Sequence, residues 1–208
     1  QIPAAFGLIF HHAFNPTAAT GGFVGAGVMM AMRYGVARGI FSNEAGLGTA
    51  GIAQAAGRTR HAAESGLIGM MGTFIDTLIV CTMTGLVLIV TGVWQSGLKG
   101  AVLSSSAFET ALPGFGSNFL ALAIVVFAFT TILGWAYYGE QFLEYIFGPR
   151  ITMPYRWVYC GLIVFGATSK VELVWAWGDL MNVLQVFPNM IGLIGLSGVA
   201  AAYAKKGV

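Results

Sequence analysis

GFVGAGVMMAMRYGVARGIFSNEAGLGTAGIAQAAG, residues 22–57, is the stretch on which the fold turns. As one straight helix it would extend about 54 Å, far beyond the roughly 30 Å of hydrocarbon in a bilayer. It is thick with glycine and carries Arg33, Arg38 and Glu44. Such a segment predicts a discontinuous span, two half-helices joined by unwound chain within Gly35 to Asn43. At membrane depth a broken helix is tolerated only where its backbone is buried in protein or lines a cavity.

The surrounding chain has the composition of a protein that meets lipid. Of its 208 residues, 57% are hydrophobic and 9% charged, with a mean hydropathy of +0.78. A soluble domain carries about 25% charged residues, so this little charge does not cover a water-facing surface. The net charge of +2 is too small to point to nucleic acid. Cys81 and Cys160 both lie in apolar runs and read as buried free thiols rather than a disulfide framework. The chain opens at Gln1 without an initiator Met or a signal-peptide pattern. We therefore expect an N-terminal portion, and with it part of any site, to lie outside these residues.

Working outward from the glycine-rich stretch, residues 66–94 carry Asp76 as their sole charge and predict a second span. Residues 118–145 predict a third, since no charge occurs between Thr110 and Gly139. Arg156 and Lys170 bracket a shorter apolar run, and both side chains are long enough to snorkel, which predicts a span over 155–170. Residues 180–204 are uncharged despite Pro188. Read as one span, they leave Arg58, Arg60, Arg150, Arg156, Lys205 and Lys206 on one face. That face is the cytoplasm by the bias of Lys and Arg toward it, with the C-terminus inside a prokaryotic plasma membrane.

Residues 171–179, with Trp175 and Trp177, then form an interfacial helix on the outer face. Residues 1–19 read as an outer loop helix stopped at Asn15-Pro16. Residues 95–117, rich in Ser and Gly, form the long outer loop, with a turn at Leu112-Pro113-Gly114. The expected fold is an all-α polytopic membrane protein, a single domain fragment over 1–208 with about five spans.

Two constellations carry candidate chemistry. In carriers, half-helix N-termini face anionic groups and unwound carbonyls hold cations. The run from Arg38 to Gly46 supplies flexible glycine, the Ser42 hydroxyl and the Asn43 amide, which both donates and accepts. Phe41, Ser42 and Asn43 are the candidate substrate residues. A cytoplasmic loop with Arg38 and Glu44 solvated fits the same spacing.

The second constellation is Phe127 to Trp135. Thr130 and Thr131 are adjacent hydroxyls in a nearly nonpolar helix, and with a freed Phe127 carbonyl they would offer oxygens to sodium. Trp135, one turn beyond Thr131, is placed to wall a small apolar side chain. Threonines in membrane helices also bond back to the i−4 carbonyl, and that reading stays open. Asp76, an acid within a span, is a functional candidate by position, or a partner for Arg33 or Arg38. Glu140-Gln141 reads as gate or packing. His11 and His12 are neighbours facing different ways, a poor metal pair. Nucleophile–base and metal-ligand spacings of enzymes are absent from the sequence, which points away from catalysis.

Gly21-Gly22-Phe23-Val24-Gly25, Arg33-Tyr34-Gly35-Val36-Ala37-Arg38-Gly39 and Phe41-Ser42-Asn43-Glu44-Ala45-Gly46-Leu47-Gly48 closely resemble the sodium:alanine symporter family. Phe74-Ile75-Asp76-Thr77 and Phe187-Pro188-Asn189 are similar to it as well. The chain departs from it at Gly51, where the family commonly has proline. The resemblance implies the inverted-repeat fold of amino-acid transporters, with this chain as the second repeat and the missing N-terminal half completing each site. It implies that Thr130 and Thr131 bind sodium, with Phe127 nearby, and that Thr131 and Trp135 border an alanine or glycine site. The function it implies is sodium-coupled symport of small neutral amino acids by alternating access, the sodium ion being co-transported. Proton coupling through Asp76 or Glu140 is the runner-up, and a non-transporting subunit of a membrane complex is the reading from a different class.

Overall fold

The structure, a computed structural model, describes residues 1–14 and 23–205, with the side chains of residues 12–31 outside that description. The stop at Asn15-Pro16, the Gly21-Gly22 pair and Lys206 lie outside the described residues. Those residues are mostly helical, and no strand occurs among them. The α-helices are α1 (Ile2–Phe14), α2 (Phe23–Asn43), α3 (Thr49–Ala55), α4 (Ala62–Thr73), α5 (Thr82–Thr91), α6 (Gly100–Ala111), α7 (Gly116–Phe147), α8 (Thr152–Thr168) and α9 (Val171–Lys205). A π-helical segment, Phe74–Cys81, joins α4 to α5.

Three continuous helical stretches are long and apolar enough to cross a membrane: Ala62–Thr91, Gly116–Phe147 and Val171–Lys205. They overlap three of the five stretches that the sequence reads as spans. Almost none of their apolar surface is covered within the chain. Among the described residues the buried apolar side chains are Ala5, Leu47 and Ala107, while Phe127, Phe165, Phe187 and Ile194 are each 60% or more exposed. So large an exposed apolar surface calls for lipid or further protein to cover it. Cys81 and Cys160 are both exposed rather than buried.

The helix boundaries differ from expectation at four places. α2 runs unbroken through Gly35 to Asn43, and the chain leaves helical geometry only after it, at Glu44–Gly48. Glycine inside a helix costs only about 1 kcal/mol relative to alanine, so Gly35 and Gly39 do not by themselves open it. The 66–94 segment is not uniform α-helix, since its middle is π-helical around Asp76, whose carboxylate accepts from the Thr77 hydroxyl at 3.2 Å. The long loop at 95–117 holds α6, a 12-residue helix. Finally, 171–179 and 180–204 are one 35-residue helix that continues through Pro188. At about 52 Å it is longer than the hydrocarbon layer is thick.

Packing resolves into two units. The first comprises Gln1–Gly39 and Phe74–Ala128. Here α5 packs on α6 and on α1, and the α6–α7 corner is tightly built. The Glu109 carboxylate accepts the backbone N–H groups of Gly114, at 2.6 Å, and Ser117, at 3.0 Å, the latter an orphan donor of the α7 start. Gly116 passes so close to the Phe108 carbonyl that a Cβ would collide with it. Phe119 stacks on Phe108 and Phe115 around this corner.

The second unit comprises Ile40–Thr73 and Phe129–Val208. α3 packs on α4, and α4 on α9. Arg156 is not a lone snorkelling cation: its guanidinium donates twice to Glu140, at 2.6 and 2.8 Å, tying α8 to α7. The Tyr159 hydroxyl donates to the Ile132 carbonyl at 3.0 Å. Gly139 lets the Tyr155 ring lie against α7, where a larger residue would strike its hydroxyl.

Candidate functional site

The candidate site is the helix break at Glu44–Gly48, within the second unit. Three residues give this turn its shape. Glu44 has φ 55°, Gly46 φ 77° and Gly48 φ 87°. The left-handed region suits glycine but costs an ordinary residue roughly 1–2 kcal/mol, so Glu44 must be held there. Its carboxylate accepts the Thr49 hydroxyl at 2.6 Å and the Tyr138 hydroxyl. Hydrogen bonds to an ionised acceptor are the stronger kind. Thr49 opens α3 and is buried, so the acid is anchored from the far side of the break.

Asn43 supplies a second anchor. Its side-chain oxygen accepts the Ala45 N–H at 2.8 Å, the turn-forming bond asparagine makes two residues on. The Asn43 oxygen thus has a backbone partner, and the NH2 group of the same amide is a hydrogen-bond donor. Leu47 is buried and its N–H bonds to the Glu44 carbonyl at 3.1 Å.

α9 grips the break at two points. The Asn189 amide donates to the Gly46 carbonyl at 2.8 Å. The same side chain lies over Gly48, where an added Cβ would sit 2.9 Å from its oxygen. Earlier along α9, the Trp175 ring meets Phe41 edge-on, centroids 5.5 Å apart and planes at 66°. α7 makes the third contact, since Tyr138, which holds Glu44, also meets the Trp135 ring edge-on at 5.7 Å.

The structure thus places the candidate residues unequally. Phe41, Ser42 and Asn43 form the last turn of α2, at the lip of the break. Trp135 is joined to the break through Tyr138 and Glu44. Phe127, Thr130 and Thr131 lie on α7, which is α-helical without interruption, so the turn at Phe127 has not opened. Both threonines are exposed. Glu44, Thr49, Tyr138, Trp175 and Asn189 are parts of the arrangement that motif reasoning did not assign. Glu44 and Asn189 stood inside quoted motifs, whereas Tyr138 carried only its position one turn after Trp135.

The sodium:alanine symporter family model matches residues 1–206. An uncharacterized transporter of Haemophilus influenzae is 50% identical over 201 residues, covering 96% of this chain and 44% of that protein. The sodium/alanine symporter AgcS of Methanococcus maripaludis is 43% identical over 205 residues, 97% of this chain and 44% of that protein. The sodium/proton-dependent alanine carrier protein of a Bacillus species is 32% identical over 213 residues, 93% of this chain and 47% of that protein. This chain spans less than half the length of these relatives. No solved structure matches it.

Proposed function

Since the chain belongs to the sodium:alanine symporter family, we propose that it forms the later half of a secondary active carrier that moves alanine or glycine inward together with sodium. The observation that carries this reading is the break between α2 and α3, held by side chains of α7 and α9. Non-helical backbone at membrane depth is the means by which carriers hold a charged amino acid in lipid.

The roles follow from the chemistry. The Asn43 amide and the Ser42 hydroxyl are donors suited to a substrate carboxylate. Phe41 and Trp135 supply apolar walls for a side chain no larger than a methyl group. Thr130 and Thr131 offer neutral oxygens suited to sodium, a hard cation, and the Phe127 carbonyl joins them only in a state in which that turn opens. The other walls of both sites belong to the remainder of the carrier. In the plasma membrane the basic residues put the C-terminus in the cytoplasm.

A sodium-gradient uptake assay on the intact carrier, with labelled alanine, glycine and serine, tests this reading. Uptake that needs sodium and is competed by small neutral amino acids is expected, and uptake indifferent to sodium overturns it. Proton coupling is the second reading, favoured by the placement of Asp76 in a π-helical segment, a geometry found mostly at functional sites. Uptake driven by a pH gradient without sodium would establish it.

A further inference from the structure

α9 is built the wrong way round for water. Its partly protected residues are Gly178, Asp179, Asn182, Gln185, Val186 and Asn189, whereas Leu180, Val183, Leu184 and Phe187 are exposed. Steps of three and four put the protected set on one helix face. A membrane-length helix with its polar residues inward and its apolar ones outward presents a functional face by default.

That face abuts the break. Asn189 reaches the Gly46 carbonyl and the Gly48 backbone, and a Cβ at Gly46 would contact Val186. Gln185 sits next to Val186 and one turn before Asn189. Its side-chain oxygen is fully buried and, among the described residues, has no hydrogen-bond partner. A buried amide oxygen left unpaired is costly, and most such groups in folded proteins are satisfied. Beside it in sequence, the Leu184 carbonyl has lost its helical donor, because Pro188 has no N–H to give it although the helix continues. Two consecutive residues therefore offer neutral oxygens that lack a donor from the helix. Neutral oxygens without donors suit a small cation.

We propose that Gln185 is a cation-binding residue of the transport site, its side-chain oxygen taking either the sodium ion or the ammonium end of the amino acid. The inference rests on the carrier reading above and adds α9 as a wall of the site. Asn189 sets the position of the break against α9, and Gln185 supplies the contact to the cargo.

The test is uptake by the intact carrier carrying Gln185→Leu, Gln185→Met or Gln185→Glu, corrected for the amount in the membrane. Removal of the oxygen should raise a half-saturation constant about tenfold or more, the size expected for a bond to a charged group. A rise in the constant for sodium at saturating alanine assigns the ion. A rise in the constant for alanine at saturating sodium assigns the ammonium group. Gln185→Glu, which keeps the oxygen, should restore tight binding, a rescue that a purely structural amide would not show. Gln185→Met keeps the length and flexibility of the side chain and stands in where the Leu variant fails to insert. Wild-type uptake with both constants unshifted in the variants, as an ordered water at Gln185 would give, overturns this inference alone. Wild-type protein without sodium-dependent uptake overturns the carrier reading and this inference together.

Discussion

Asn189 donates its side-chain amide to the carbonyl oxygen of Gly46, 143 positions earlier, at 2.8 Å. The bond answers a need created by the break. A carbonyl that has left helical geometry loses its donor, and in a dry environment it must find another. With Glu44 held by Thr49 and Tyr138, the turn is fixed from α3, α7 and α9 at once. Its shape is therefore a property of the surrounding helices as much as of its own glycines.

Asn189→Ala should destabilise the carrier by about 1 kcal/mol, the usual worth of one such hydrogen bond. Gly48→Ala should cost more. Its φ of 87° disfavours a side chain, and its new Cβ would press on the Asn189 oxygen. Because the two residues touch, the double variant should lose less than the sum of the singles. Thermal midpoints of the purified carrier in detergent check all three, and strict additivity would contradict the contact.

What was legible in the sequence was what local pattern controls. The charge-poor, apolar runs at 66–94 and 118–145 announced long apolar helices, and both are there. The excess length of 22–57 announced a break, but its location depended on partners far along the chain. Gly35 and Gly39 looked like breakers and are helical, while Glu44 looked like a solvated acid and is the residue held in left-handed geometry. Tyr138 and Asn189 decide that outcome, and no local signal ties either to position 44 or 46. Likewise the sequence suggests a separate interfacial helix over 171–179, yet α9 runs on through Asp179 without a break.

Glu109 gives the α6–α7 corner a predictable pH response. The Ser117 side chain, then the backbone N–H groups of Ser117 and Gly114, hold its carboxyl below the ordinary 4.5. An acid whose pKa is lowered by folding steadies the structure above its unfolded pKa, and that contribution fades as pH falls through the folded value. The corner should therefore be firm at neutral pH and loosen only in strong acid. Amide exchange at Gly114 and Ser117 reads this directly. Glu109→Gln should show the loosened exchange at neutral pH, and equal protection in both proteins would contradict the cap.

Tyr138→Phe removes one of the two hydroxyls on Glu44 while keeping the ring against Trp135. The acid then rests on Thr49 alone in a conformation it does not favour. A loss of about 1 kcal/mol in stability is expected, with sodium-driven uptake reduced several-fold at unchanged membrane abundance. Full uptake in Tyr138→Phe would show that the bond is incidental to transport.

Thr131 is the sharpest test of the ion assignment. Thr131→Val preserves the shape of the side chain and removes one oxygen, so insertion and folding should survive. If its hydroxyl and that of Thr130 hold sodium, alanine uptake should fall at least tenfold at limiting sodium, since a lost contact to a charged group costs roughly 1.5–3 kcal/mol. Thr131→Ser, which keeps the hydroxyl, should stay near wild type. The exposed position of Thr131 on this chain is compatible with that role only if the rest of the carrier closes over it. Sodium dependence unchanged in Thr131→Val would move the ion away from α7 and leave the face of α9 as the place to look.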